Sequence, residues 1–326
     1  MKKILIPQDI TECGKEYLRE QGYEVVVGSG FDSETIKREG ADADAIIMRT
    51  ALYSGDVIRA CKNCKIFARY GVGLDNVDIP AATEIGAYVT IAKNANQVSV
   101  AEHTVTMVLA LAKRLEHLDI KQRENASENY GLRNKLPTQE LSGKTVAIIG
   151  LGMIGCEVAR QLHFGFGMNV IGYDAYADPA KLPDYIQTVP LDECFRCGDV
   201  ISLHVPATPE TMNMVNKSTF AMMKPSSILV NCARGGIVNE DDLYDALKEE
   251  KIFGAGLDVF VDEPPKNDNK LFELNNFIGS PHNAGMTNES RDNMSMSCAH
   301  AVDDVLRGKR PRYPVNKPAN IETLAD

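Results

Sequence analysis

Short apolar runs alternate with amphipathic stretches along nearly the whole chain, in two separate series. That alternation is the signature of strands joined by helical crossovers, and it demands a parallel sheet covered on both faces. In the first series, strands are expected at 3–6, 24–27, 45–48, 66–68 and 88–91, with helical patterns between them, as at 11–21 and 56–60. The second series begins at Thr145, with strands expected at 145–149, 169–173, 200–205, 227–231, 255–259 and 277–280. Asn239 is a plausible N-cap for a helix over 240–249, whose first turn is acidic. Between the series, apolar residues recur at helical spacing from 98 to 118 (Val105, Val108, Leu109, Ala112), predicting a helix whose apolar face is either core or interface. The polar stretch 121–141 has no such period, contains Gly131 and Pro137, and reads as an exposed loop. A last helix is expected over 287–306. A chain of 326 residues is long enough for two domains of this α/β class.

The second series opens with TVAIIGLGMIG, which places Gly150, Gly152 and Gly155 directly after an apolar strand and before a helical stretch at 156–162. Each glycine has a task in a dinucleotide-binding turn. The first permits the tight turn, the second lets a pyrophosphate reach the backbone, and the third allows close packing of helix on strand. The helix N-terminus supplies N–H groups and a partial positive charge for phosphate, and Met153 and Ile154 in the turn before it are expected to bind the cofactor. A lone GxGxxG says little, but here Asp174 ends the next strand, NVIGYD. A carboxylate there accepts hydrogen bonds from both adenosine ribose hydroxyls and repels a 2′-phosphate. Neither Ala175 nor Tyr176 is basic, so NAD is expected rather than NADP.

Reduction of a 2-keto acid with such a cofactor needs a cation for the carboxylate and a proton donor at the ketone oxygen. Arg suits the first task through its planar fork, and His suits the second, best with a carboxylate beside it. In open α/β sheets these groups follow the carboxyl ends of strands. Arg234 follows ILVNCA, Glu263 lies just beyond GLDVF, and His282 follows FIGSP. Spacing alone does not bring them together. Arg234 could be a surface charge, His282 a satisfied loop histidine and Glu263 a solvated turn residue, although the Gly-Gly after Arg234 implies tight backbone geometry.

The runs NCARGG, LDVFVDEP and SPHNAG, with GLGMIG and the earlier RYGVGLDNVD, resemble the D-isomer-specific 2-hydroxyacid dehydrogenase family over essentially the whole chain. The resemblance implies an NAD-dependent enzyme interconverting a small 2-keto acid and its D-2-hydroxy acid. Arg234 is then the substrate clamp, His282 the acid/base and Glu263 its partner. Asp258 would contact the nicotinamide carboxamide, Cys232, Ala233 and Arg234 would lie along the nicotinamide, and His204, Pro206 and Thr208 (LHVPAT) would form the adenosine-side loop. His204 is expected to bind or pack rather than move protons. The family fold implies a Rossmann NAD-binding domain (98–287) inserted into a discontinuous, flavodoxin-like catalytic domain (1–97 and 288–326), with substrate in the cleft. It also implies a homodimer.

In the same family, the N–H groups of Val72 and Gly73 face the substrate carboxylate, and Arg49 and Arg69 stand where phosphoglycerate dehydrogenases carry arginines. Two extra cations favour a phosphorylated substrate such as 3-phosphoglycerate, unless either arginine is structural. Glu263 argues against formate dehydrogenase, which has Gln there. Glyoxylate/hydroxypyruvate reductase and D-lactate-type activity stay open, as does a non-catalytic NAD-sensing module like the transcriptional corepressors that resemble this family.

The net charge of −10 makes the chain a poor ligand for nucleic acid or anionic membrane. The apolar run at 4–7 is too short for a signal peptide, and nothing approaches the ~18 apolar residues of a membrane span, so a cytoplasmic protein is expected. The eight cysteines include two CxxC pairs, Cys61/Cys64 and Cys194/Cys197. The pairs are far apart and lack a glycine-rich knuckle, so they read as buried free thiols and no metal is expected.

Overall fold

The computed structural model describes residues 1–318. The remainder of the C-terminal segment assigned above to the discontinuous domain, 319–326, lies outside the described residues. The chain divides into two compact units, residues 1–96 with the segment from Met286 onward, and residues 97–285.

The first unit is built on five parallel strands: β1 (Lys3–Ile6), β2 (Glu24–Val27), β3 (Ala45–Met48), β4 (Ile66–Arg69) and β5 (Tyr88–Ile91). Their order, β2-β1-β3-β4-β5, is that of the flavodoxin-like doubly wound sheet. Successive residues serve opposite faces, as the two-residue period of a strand requires. Ile4, Ile6, Ala45 and Ile47 enter one apolar cluster, while Leu5, Ile46 and Met48 enter the other. Both faces are covered, so the strands read as continuous apolar runs. The helix Asn288–Leu306 covers the first face with Met294, Cys298, Ala299 and Val302. It meets the helix Glu12–Glu20 so closely that a Cβ on Gly14 would stand 2.3 Å from Ser295 Oγ.

Seven parallel strands form the second unit: β6 (Thr145–Ile149), β7 (Asn169–Tyr173), β8 (Ile186–Thr188), β9 (Val200–Leu203), β10 (Ile228–Asn231), β11 (Gly254–Leu257) and β12 (Phe277–Gly279). They lie in the order β12-β11-β10-β9-β6-β7-β8, the Rossmann order with one strand added. The strand order reverses between β6 and β9, which is where open α/β sheets hold their ligands. Ala147, Ile149, Ile201, Leu203 and Leu229 face one cluster, and Val146, Ile148, Val200, Ile228 and Val230 the other. The helix Gln97–Ala112 lies over the second face. Gly256 lets it approach, since a Cβ there would meet Met107 Sδ at 3.2 Å. The apolar face of this helix is therefore core.

Three expectations about the elements need correction. The helix expected over 98–118 is interrupted, because Arg114 takes a left-handed conformation (φ 49°) before a second helix, Leu115–Glu124. The guanidinium of Arg114 covers the Phe253 ring at 4.3 Å and its Nε donates to the Pro137 carbonyl at 3.2 Å, which fixes the break. The stretch 121–141 is not a plain loop. It continues the second helix and adds Ala126–Asn129 and a 3₁₀ turn, Tyr130–Asn134, none of which carries a buried residue. A helix with no buried side leaves no continuous apolar stripe to read in the sequence. Strand β8 also went unread, because only Ile186 of its three residues is buried. No helix among the described residues is long and apolar enough to cross a membrane.

Candidate active site

The turn after β6 is shaped by backbone crowding. Gly150 has φ +100°, and a Cβ there would lie 2.5 Å from the His204 carbonyl oxygen. A Cβ on Gly155 would lie 2.0 Å from the Gly150 carbonyl oxygen. Around Gly152 nothing stands within 4 Å of the Cβ position, and this residue is the N-cap of the helix Met153–Phe166. The helix thus starts earlier than its apolar pattern suggests. Its first N–H groups, around Met153 and Ile154, have no partner within the helix. Open space, a bare backbone and a helix N-terminus are what a pyrophosphate needs, and the residues present fit a dinucleotide.

Asp174, just past β7, accepts from the Leu151 N–H at 2.8 Å and from the N–H groups of Tyr176 and Ala177 at 2.8 and 3.1 Å. Its carboxylate therefore ties the glycine turn to the end of β7. Across the switch point, the His204 N–H donates to the Ile149 carbonyl at 2.7 Å, and its Nε2 lies 2.8 Å from Ser202 Oγ. Burial pushes the His204 imidazole down to about 4, so the ring is neutral at physiological pH. Thr211 holds the loop that follows. Its hydroxyl donates to the Pro206 carbonyl at 2.6 Å and accepts from the Thr208 N–H at 2.8 Å.

The second group of residues follows β10, β11 and β12. Beyond β10, Asn231 clamps the loop carrying Arg234. Its Nδ2 donates to the Arg234 carbonyl at 2.8 Å and its Oδ1 accepts from the Ala233 N–H at 3.0 Å. Gly235 is compelled, because a Cβ there would fall 1.8 Å from the Phe260 carbonyl oxygen. Burial pushes the Cys232 thiol up to about 12, which favours its neutral form.

His282 Nδ1 stands 2.7 Å from Glu263 Oε2, while Glu263 Oε1 accepts from the Phe260 N–H at 3.2 Å. Partial burial pushes the Glu263 carboxyl up. The hydrogen bond and charge of His282, the Phe260 N–H and the Arg234 guanidinium outweigh that and hold it below the ordinary carboxylate range. His282 and, more weakly, Arg234 thus both act on the Glu263 carboxylate. With Nδ1 engaged by the carboxylate, Nε2 is the nitrogen left to exchange a proton. His282 itself has φ +51°, a left-handed conformation that costs an L residue about 1–2 kcal/mol.

Asp258 is buried, and its carboxylate accepts from Ser280 Oγ, the Asn283 N–H (2.9 Å) and the Ala284 N–H (3.0 Å). Three residues here were not singled out from the sequence: Asn231, Ser280 and, beside Ser280 Oγ at 3.0 Å, His103. Asn231 and Ser280 read as strand ends and His103 as a structural histidine. Nothing in their spacing marks them, since each works by local hydrogen bonding.

In the first unit, Arg49 follows β3 and Arg69 ends β4, both at carboxyl ends of strands. Arg69 is occupied with its own loop: Nε donates to the Gly73 carbonyl at 2.7 Å and Nη1 to the Tyr70 carbonyl at 3.0 Å. It therefore shapes the turn holding Val72 and Gly73. Arg49 donates to the Asp9 carbonyl at 2.7 Å and lies over the Tyr70 ring at 5.2 Å. Cys61, Cys64 and Cys194 are buried free thiols, but Cys197 is exposed, contrary to the reading of both pairs as buried. No cluster of metal-ligating side chains occurs among the described residues.

Residues 105–284 match the family model described as D-isomer specific 2-hydroxyacid dehydrogenase, NAD binding domain. A D-3-phosphoglycerate dehydrogenase of Archaeoglobus fulgidus is 39% identical over 319 residues, 97% of this chain. The chain spans 60% of that relative's length. Among solved structures, a D-mandelate dehydrogenase of Rhodotorula graminis superposes with a TM-score of 0.89 at 25% identity, covering 98% of this chain and 99% of its own. A glyoxylate reductase of Paecilomyes thermophila gives 0.86 at 26% identity, covering 96% and 98%.

Proposed function

Since the chain belongs to the D-isomer specific 2-hydroxyacid dehydrogenase family, we propose that it is an NAD-dependent oxidoreductase interconverting a small 2-keto acid and the D-2-hydroxy acid. The observation that carries this reading is the ring nitrogen of His282 on the Glu263 carboxylate at 2.7 Å, with the charge of Arg234 acting on the same carboxylate.

Bound at the turn of Gly150, Gly152 and Gly155, with Met153, Ile154, Asp174, His204, Pro206 and Thr208 around it, NADH supplies the hydride. Asp174 has one lone pair left for a ribose hydroxyl, and its negative charge repels a 2′-phosphate, which selects NAD over NADP. Cys232 and Ala233 would flank the nicotinamide, and Asp258 would meet its carboxamide. Arg234 grips the substrate carboxylate with its fork and polarises the ketone. The protonated His282 gives its Nε2 proton to the ketone oxygen as that oxygen gains charge, and takes it back in the oxidative direction. Glu263 orients the ring through its contact with Nδ1.

On the substrate side, Val72 and Gly73 offer N–H groups to the carboxylate. Arg69 holds that turn in shape, and Arg49 adds positive charge. With Arg69 engaged in its own loop, Arg49 and the phosphoglycerate dehydrogenase relative favour a phosphorylated 2-hydroxy acid such as 3-phosphoglycerate, whose keto acid is 3-phosphohydroxypyruvate. The enzyme works as a homodimer in the cytoplasm, where thiols such as Cys61 and Cys64, free in this structure, stay reduced.

The test is a panel of 3-phosphohydroxypyruvate, hydroxypyruvate, glyoxylate and 2-ketobutyrate at fixed NADH, followed by loss of NADH absorbance. Turnover of at least one is expected, with 3-phosphohydroxypyruvate best, and His282→Ala lowers kcat by about 10²–10⁴-fold. Tight NADH binding with no turnover of any of them would instead make the chain a dinucleotide-sensing module.

A further inference from the structure

The left-handed turn at His282 must be held from outside, because an isolated histidine does not favour it. Beside the Ser280 carbonyl, which accepts from the His282 N–H at 3.0 Å, it is held by Asp258. Its main-chain carbonyl accepts from the His282 N–H at 2.8 Å, and its carboxylate accepts from Ser280 Oγ and from the N–H groups of Asn283 and Ala284. Every partner is a donor, as an acceptor-only carboxylate requires. Buried to 1% exposure, this carboxylate depends on those donors staying in place.

The chain of donors does not end at Ser280. His103 Nε2, on the helix Gln97–Ala112, lies 3.0 Å from Ser280 Oγ and 3.7 Å from Asp258 Oδ1. The single hydroxyl proton of Ser280 is committed to Asp258, so the serine oxygen must accept, and His103 must donate from Nε2–H. Donation therefore runs in one direction, from His103 through Ser280 to Asp258, and such chains polarise each link in turn.

We propose that His103 is a positioning residue for the proposed reaction. Through Ser280 it fixes Asp258, and through Asp258 it fixes the turn that sets His282 against Glu263. The inference rests on the proposed dehydrogenase activity only for its kinetic arm.

Two readouts test it in the full-length protein. In His103→Leu, hydrogen–deuterium exchange across residues 280–285 accelerates by about fivefold or more, because the first link of the clamp is gone. In the same variant kcat on the best keto acid falls by about tenfold or more, as for other outer-shell partners of a functional group. The dissociation constant for NADH rises by less than kcat falls, because only the carboxamide contact of Asp258 lies downstream of His103. His103→Gln, which carries an N–H at a similar reach, recovers both. Because the links act in series, Ser280→Ala with His103→Leu is no slower than Ser280→Ala alone. Wild-type exchange and kcat in His103→Leu, failure of Gln to rescue, or additive losses in the double variant would each overturn the proposal. If the wild type turns over no keto acid, the dehydrogenase reading fails, while the exchange rates still decide the role of His103.

Discussion

His204 stands beside the glycine turn with its ring nitrogen on Ser202 and its pKa depressed to about 4 by burial. The folded chain keeps this imidazole neutral, whereas the unfolded chain protonates it near pH 6.5. Between about 6.5 and about 4 the unfolded state therefore binds more protons, and stability falls as pH falls through that window. His204→Gln should flatten this part of the stability–pH curve, measured by denaturant unfolding at each pH. Parallel curves for variant and wild type would refute the assignment. Arg234, Glu263 and His282, to which the proposed reaction assigns its chemistry, were singled out because each follows a buried strand, while their roles came from the family resemblance. Asn231, Ser280 and His103 were not, because a hydrogen bond to a neighbouring loop imposes no spacing and no composition.

At the scale of elements, buried strands declared themselves as continuous apolar runs, and six of the twelve keep the bounds expected from the sequence. In the second series β9, β11 and β12 end one or two residues early, where the chain leaves the ladder for the loops bearing the site, and β10 begins one residue late at its far end. What the sequence concealed was the segment 115–134, helical but without a buried side. Leu115, Ile120 and Tyr130 on it are exposed, at 62%, 47% and 61%. Apolar side chains on an otherwise polar helical arm suit a partner surface, and the proposed homodimer would cover them. Placing a charge there with Ile120→Asp should shift sedimentation toward the monomer while leaving the far-ultraviolet circular dichroism unchanged. A wild-type chain that sediments as a monomer, or a variant that stays dimeric, would remove this segment from the interface.

For the whole molecule, two all-parallel sheets, one in flavodoxin-like and one in Rossmann order, follow from two series of apolar runs joined by crossovers. The alternation was legible in the residues themselves. The strand orders were not, since neighbours such as β6 and β9 are chosen by packing between segments far apart in sequence, and only the family resemblance supplied them. Both orders put the singled-out residues at carboxyl ends of strands, and that placement underlies the assignment of hydride transfer. The most direct measurement is to supply NADH deuterated at the transferring position of C4, with 3-phosphohydroxypyruvate, and to locate the label in the product by mass spectrometry and NMR. The account predicts deuterium at C2 of a D-configured 2-hydroxy acid. An unlabelled product, or label in a product of L configuration, would contradict it.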